Sequence, residues 1–422
     1  MKKIASVVLI ASLLLSLAGC AGSGSTSAPA ASSGTSAAPS PAPAATPSPV
    51  PAASAAAASS PAPQSKAQAL LSAMSLDEKI GQLFLVRPDA LEPTLTSEQI
   101  NDAKNYGVTS MSEAMAATLA QYPAGGIVFF GKNITSPSQL TAFVASLRGA
   151  STQPLMLGID EEGGSVSRIA NTAGFDVKKY DSMAAVGATG DPQQAAEVGL
   201  TIGTYLKQYG FDLDFAPDAD VNTNPDNIVI GKRAFGSDPA LVARMVTAEI
   251  GGLHQAGVMT CAKHFPGHGD TKGDTHDGYV SVTKSWDELK SCELIPFAAA
   301  IDAGTDMVMA AHITARNVTD DGLPASLSHE MLTDRLRGEM GYQGVIITDA
   351  MAMGAIAKEY TPADAAVKAI LAGADLVLMP QDYKEAFVGV RDAVQNGTIS
   401  EERLEQSVLR VLQLKEKYGL LQ

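Results

Sequence analysis

The sequence predicts an α/β chain folded as a (β/α)8 barrel of the TIM type, a single domain behind a disordered linker. Three observations predict it. Eight short apolar runs punctuate the chain at residues 82–86, 126–130, 155–159, 211–216, 258–262, 307–311, 345–348 and 374–379, each the length of a strand buried on both faces. Most are separated by enough chain for a helix, as at 192–209, 239–256 and 362–372, and alternating strand and helix implies a parallel sheet. Six of the eight runs are followed at once by polar residues, and a barrel collects its chemistry at the carboxyl ends of its strands. An open, doubly wound sheet is the alternative arrangement of the same elements.

Taken in order, the chain begins with Lys2 and Lys3 and an apolar stretch over 4–17, too short to span a bilayer comfortably. It closes on Leu17-Ala18-Gly19-Cys20, which resembles the lipobox of bacterial lipoproteins. That resemblance implies a signal peptide over 1–19 and a lipid carried by Cys20. Residues 21–64 are almost wholly Ala, Ser, Pro, Gly and Thr, with no charge. Such a segment cannot bury enough apolar surface to fold, and its prolines favour an extended spacer. The expected organisation is therefore a lipidated Cys20 and linker over 20–64, then one domain over 65–422. A lipid anchor followed by a spacer is the architecture of an extracytoplasmic protein held to the bacterial cell membrane.

The domain begins with a helix start at Ser75-Leu76-Asp77-Glu78, a serine cap with acids in the first turn. The third apolar run leads into Asp160-Glu161-Glu162-Gly163-Gly164, the fourth into Pro217-Asp218 and the fifth into Lys263-His264. The sixth leads into His312, the seventh into Asp349 and the eighth into Pro380-Gln381-Asp382. A last helix is expected over 401–418.

Composition excludes some function classes. The chain carries 30 basic and 45 acidic residues, a net charge of −15. Without Lys2 and Lys3 that becomes 28 against 45, or −17. This balance argues against a nucleic-acid partner. Of three cysteines, Cys261 lies in an apolar run and Cys292 in an expected helix, and two buried thiols are the default reading. No zinc-ligand spacing accompanies the histidines. No metal, cofactor or obligate protein partner is expected.

The densest stretch is Lys263-His264-Phe265-Pro266-Gly267-His268-Gly269-Asp270-Thr271, running on to Asp274-Thr275-His276. It holds three of the six histidines, and its glycines and proline argue against a regular helix or a central strand. A loop of titratable groups after a buried strand is a candidate site. Carboxylates with cationic donors, and no phosphate loop or serine elbow, suit cleavage of a glycosidic bond. One carboxylate attacks the anomeric carbon, a proton donor serves the departing oxygen, and the cations grip sugar hydroxyls.

These motifs resemble glycoside hydrolase family 3. The stretch 263–271 looks like its signature, and Asp274-Thr275-His276 resembles the β-N-acetylhexosaminidase branch. The other landmarks are Asp160-Glu161-Glu162-Gly163-Gly164, Arg233-Ala234-Phe235-Gly236 and Ile347-Thr348-Asp349-Ala350-Met351. The resemblance implies that Asp349 is the nucleophile, that His276 is the acid/base, and that Asp274 orients it. It implies sugar binding by Asp160, Arg168, Arg233, Lys263 and His264. Glycines 163 and 164 are expected to let backbone approach the site. His268 and Asp270 are expected to shape the loop, His312 to stand behind the site, and His254 and His329 to be structural. Ser165 and Ala234 depart from the family's usual residues at their positions. No second α/β domain is expected after the final helix to supply an acid carboxylate, and the resemblance then implies that the Asp274-His276 pair takes that role.

The activity implied is that of a retaining exo-acting β-N-acetylglucosaminidase on peptidoglycan fragments or chitin-derived sugars. The alternatives are a phosphorylase using the same residues, a broader β-glucosidase, or a non-catalytic sugar-binding lipoprotein.

Overall fold

Each of the eight apolar runs contributes one strand to a parallel barrel in the computed structural model, which describes residues 65–105, 107–276 and 278–421. In chain order the strands are Phe84–Val86, Gly126–Phe129, Met156–Ile159, Leu213–Asp214, Cys261–Phe265, Met307–Ala310, Val345–Thr348 and Val377–Leu378. Strands eight, one, two, three and four pair in that order, and strands five, six and seven pair likewise. The bridges Leu213–Met259 and Ile347–Leu376, both parallel, join the two groups at their seams and close the circle. The expected signal peptide, Cys20 and the linker lie outside the described residues.

The apolar runs are continuous because both strand faces are buried. Side chains alternate across the pleat. Leu85, Val128, Met156, Met307, Met309 and Ile347 point into the barrel and pack with Phe215. Their chain neighbours Phe84, Ile127, Leu157, Val308 and Ile346 join the outer core beneath the helices. There Phe129 meets Phe143 and Phe211 edge to face, with ring centres 5.4 and 5.3 Å away. Such pairs contribute about 0.5–1.5 kcal/mol beyond their buried area.

Helix starts repeat one local device. Ser136-Pro137, Asp191-Pro192, Asp238-Pro239 and Thr361-Pro362 each set a capping oxygen before a proline at the first turn. The cap satisfies an orphan amide, and proline lacks the N–H that would otherwise need a partner. The last helix, Glu401–Lys417, closes the floor of the barrel. Its Lys415 ammonium donates to Gln82 Oε1, Gly125 O and Pro154 O, each at 2.6 Å.

Two expectations need correction. Lys263 and His264 lie within the fifth strand, not after it, because their side chains point into a pocket while the backbone stays in the sheet. The signature stretch is therefore part central strand, despite its glycines and proline. Cys292 sits in the turn between helices Trp286–Lys290 and Leu294–Asp302 and is only partly buried, whereas Cys261 is buried as expected. Both are free thiols.

Candidate active site

The site is assembled from the carboxyl ends of the strands. Asp160 directly follows the third strand, and the chain then turns back in a small hairpin, Glu161–Gly163 against Val166–Ser167. The turn needs positive φ at Gly163 (85°) and Gly164 (74°), a conformation glycine adopts readily. A side chain at 164 would also meet the Ser182 backbone at 3.0 Å. These glycines shape a turn and a packing contact; they do not open the backbone toward the pocket as expected. Beyond the hairpin, buried Glu161 accepts the Ile169 and Ala170 amides at 2.8 and 2.9 Å and the Tyr205 hydroxyl at 2.9 Å. That clamp sets the backbone directly after Arg168.

Arg168 Nη2 donates to Asp160 Oδ2 at 3.1 Å, and Lys263 Nζ donates to Asp160 Oδ1 at 2.9 Å. Burial pushes the Asp160 carboxyl up, but the Lys263 and Arg168 charges outweigh it and hold it well below the usual range. Lys263 Nζ also lies 2.6 Å from Glu162 Oε1. Arg233 grips Glu162 with two bonds, Nε to Oε2 at 2.8 Å and Nη2 to Oε1 at 2.7 Å. Against burial, Arg233 and then Lys263 lower Glu162 to about 2. Three cations, Arg168, Lys263 and Arg233, and two carboxylates, Asp160 and Glu162, thus form one fixed lattice in which each charge is paired, with buried Lys263 and Glu162 at its centre.

His264 sits beside this lattice. Its Nδ1 lies 2.7 Å from Asp220 Oδ2, and its Nε2 lies 3.3 Å from Arg233 Nη2. Burial first, and Arg233 second, lower the imidazole to about 4. It is neutral at pH 7, with Nδ1–H donating to Asp220 and the Nε2 lone pair facing Arg233. Asp218, Asp220 and His264 bring three ligand-type atoms within 4.8 Å of one another. The Arg233 guanidinium, 3.6 Å from Asp218 Oδ2, already supplies the positive charge there. Burial, then Asp220, raises Asp218 to about 7.

The loop carrying Asp274 and His276 leaves the fifth strand and folds over the pocket edge. His268 N–H donates to Asp220 Oδ1 at 2.5 Å, and its ring contacts Thr271 Oγ1 at 2.8 Å. Gly269 packs on the backbone at Val221, where a Cβ would meet the carbonyl oxygen at 2.0 Å. Further on, Asp274 Oδ1 accepts from both the His276 amide and its Nδ1, each at 2.8 Å. Burial pushes Asp274 up, but the hydrogen bonds from His276 bring it below its ordinary value. The contact fixes Nδ1–H and leaves Nε2 as the working atom. The loop is docked by two main-chain bonds from the segment after the seventh strand: Gly354 N–H to His276 O at 3.2 Å and Ala355 N–H to Thr275 O at 3.1 Å.

Asp349 belongs to that same segment. Its Oδ1 accepts the Ala350 amide at 2.7 Å. Burial raises its carboxyl, yet His264, His312 and the Ala350 amide together hold it below its ordinary value, so it is ionised at neutral pH. His312 bridges Ser326 Oγ at 2.8 Å and Ala350 O at 2.9 Å, which supports the segment carrying Asp349 from behind, as expected. Asp160, Arg168, Arg233, Lys263, His264, His276 and Asp349 all line one cavity of about 840 Å3. Asp274 reaches it through His276.

Comparison with known proteins decides the family. Residues 75–414 match the Glycosyl hydrolase family 3 N terminal domain. The chain belongs to glycosyl hydrolase family 3. Among its relatives, Beta-hexosaminidase A of Pseudoalteromonas piscicida is 33% identical over 338 residues, 74% of this chain and 56% of that protein. The Beta-hexosaminidase of Tolumonas auensis is 35% identical over 273 residues, 64% of this chain and 80% of that protein. A solved glycoside hydrolase family 3 beta-N-acetylglucosaminidase from Paenibacillus sp. str. FPU-7 superposes with a TM-score of 0.75 at 37% identity, covering 82% of this chain and 63% of that one. The chain thus spans less than two thirds of the first and third of these proteins.

The family 3 barrel brings together every sequence-predicted site residue among those described. Sequence reading did not assign Glu162, Asp218 and Asp220, although they directly follow the third and fourth apolar runs. It also passed over Arg87 and Phe130 at the ends of the first and second.

Proposed function

We propose that the chain is a retaining exo-β-N-acetylglucosaminidase, removing terminal N-acetylglucosamine from peptidoglycan fragments or chitooligosaccharides. What carries the reading is one pocket holding an ionised, half-buried Asp349 and a histidine, His276, whose Nδ1 is occupied by Asp274. The names of the beta-hexosaminidase and beta-N-acetylglucosaminidase relatives support it.

In the first step an Asp349 oxygen bonds to the anomeric carbon as the bond to the departing oxygen breaks. The His276 Nε2 proton passes to that oxygen. In the second step water attacks the same carbon, His276 takes the water's proton, and the Asp349 ester breaks. Asp160, Arg168, Lys263, Arg233 and His264 hold the sugar hydroxyls. Their lattice is built before substrate arrives, so little reorganisation is needed at the transition state. Lipidation at Cys20 and the 20–64 spacer tether the domain outside the bacterial cell membrane, near wall fragments.

The test is hydrolysis of aryl β-N-acetylglucosaminide and aryl β-glucoside, with and without phosphate. Wild type is compared with Asp349→Ala and His276→Ala. The acetamido sugar is expected to be preferred and Asp349→Ala to be inactive. Positioned acids contribute about 10²–10⁴-fold. His276→Ala is therefore expected to lose that much on a natural disaccharide and far less on the activated aryl group. Sugar phosphate as the main product would replace hydrolysis by phosphorolysis. Full activity in Asp349→Ala would overturn the assignment.

A further inference from the structure

Among the described residues, a buried cation in the pocket wall, Arg87, has no anion of its own. Arg87 follows the first strand directly and is only 8% exposed. Its Nη1 donates to Ile100 O at 2.8 Å, and its Nε lies 3.4 Å from Met379 Sδ. Met379 is held there with a φ of 46°, uncommon for a residue with a side chain and frequent at binding sites. No carboxylate among the described residues lies within ion-pair distance of Arg87. The nearby acids are engaged elsewhere: Asp89 by Lys132 at 3.5 Å and by Asn133, and Asp160 by Lys263 and Arg168. Burial accordingly pulls the Arg87 guanidinium down to about 10.

Phe130, at the end of the second strand, is shared by two guanidiniums. Arg87 lies 4.5 Å from its ring centre and Arg168 lies 5.0 Å from it. Arg168 Nε is itself buried without a hydrogen-bond partner. All three residues line the cavity. The cavity wall holds four cations, Arg87, Arg168, Arg233 and Lys263, against three carboxylates, Asp160, Glu162 and Asp349. This excess stands inside a chain of net charge −15. A desolvated guanidinium with unused donors is a strong receptor for a carboxylate or phosphate. A neutral amino sugar gives it nothing to neutralise.

We propose that Arg87, with Arg168 across the Phe130 ring, forms a subsite for an anionic substituent on the saccharide, a carboxylate or a phosphate monoester. The proposal rests on the glycosidase reading above. The anion has two possible sources, a carboxyalkyl ether on the leaving-side sugar or a phosphate on the terminal sugar, and the experiment separates them.

The full domain is assayed on four disaccharides ending in N-acetylglucosamine. One is unmodified. One carries a carboxyalkyl ether on the leaving-side sugar, one carries the methyl ester of that ether, and one carries a phosphate on the terminal sugar. For one of the two anionic substrates, wild-type kcat/KM is expected to exceed that for its neutral counterpart by at least tenfold. In Arg87→Met that ratio is expected to collapse toward one, and in Arg87→Lys to fall only in part. A loss of folding would depress all four substrates together, whereas loss of the subsite changes the ratio. If Arg87→Met does not fold, the wild-type ratio of free acid to methyl ester and the Arg87→Lys ratio still decide. Wild-type ratios of one for both anionic substrates, or a ratio unchanged in Arg87→Met, overturn the subsite. If wild type cleaves the unmodified disaccharide in that case, the glycosidase reading survives alone; if it cleaves none, that reading fails first.

Discussion

Replacing Lys263 by methionine removes the one ammonium that ties Asp160 to Glu162. Lys263 Nζ sits 2.9 Å from the first and 2.6 Å from the second, and the lysine is 2% exposed. Methionine has similar length and no charge, so the change acts mainly through electrostatics. Glu162 stands at about 2, against an ordinary 4.5. At about 1.36 kcal/mol per pH unit, that shift represents roughly 3 kcal/mol of stability above pH 5, shared between Arg233 and Lys263. Asp160 adds a contribution of the same sign. Breaking a buried pair by removing one partner costs about 3–5 kcal/mol in general, so both routes give the same scale. The sign with pH follows. Depressed carboxylates stabilise the fold above their unfolded values, and that contribution is lost as pH falls through their folded ones. In Lys263→Met the two carboxyls titrate higher and protonate in mild acid, which relieves them. The variant is therefore expected to be less stable by about 3–5 kcal/mol at pH 7, with the deficit shrinking steadily toward pH 4. Urea unfolding of both proteins across that range measures it. A deficit below about 1 kcal/mol, or one constant with pH, would refute the charge lattice.

Two further outcomes concern groups away from the reacting atoms. Tyr205→Phe removes one of the three hydrogen bonds to Glu161, which is expected to lower stability by about 1 kcal/mol and to raise KM several-fold by loosening the turn after Arg168. An unchanged KM would separate that clamp from substrate binding. Lys415, wholly buried, is lowered by burial to about 7 from 10.5. The unfolded chain then binds the extra proton between those values, so stability rises with pH from 7 toward 10.5, by up to about 1.4 kcal/mol per unit. Lys415→Met is expected to flatten that slope, and parallel slopes for the two proteins would show that Lys415 keeps its charge.

The barrel was legible because burial on both faces writes each strand as an unbroken apolar run, as in 345–348, and because the runs are short and evenly interrupted. The same rule hid Lys263 and His264. Their charges appear to end a strand, whereas the fifth strand continues through them to Phe265. Asp349, His276 and Asp274 were legible from motifs, since Asp274 and His276 are two residues apart and meet locally. Glu162, Asp218 and Asp220 were not assigned, because their partners Arg233 and His264 lie tens of residues away and only barrel closure brings them together. Arg87 had a visible mark, a cation directly after the first apolar run. Its meaning depends on the absence of a nearby carboxylate, which sequence alone does not reveal.

The central claim is that Asp349 carries the glycosyl group during turnover. Incubation of the domain with a fluorinated N-acetylglucosaminyl fluoride, followed by digestion and mass spectrometry, tests it directly. The account predicts one added sugar on the peptide containing Asp349, absent in Asp349→Ala. Rapid cleavage of the aryl N-acetylglucosaminide with no labelled peptide, or a label on another carboxylate, would contradict it.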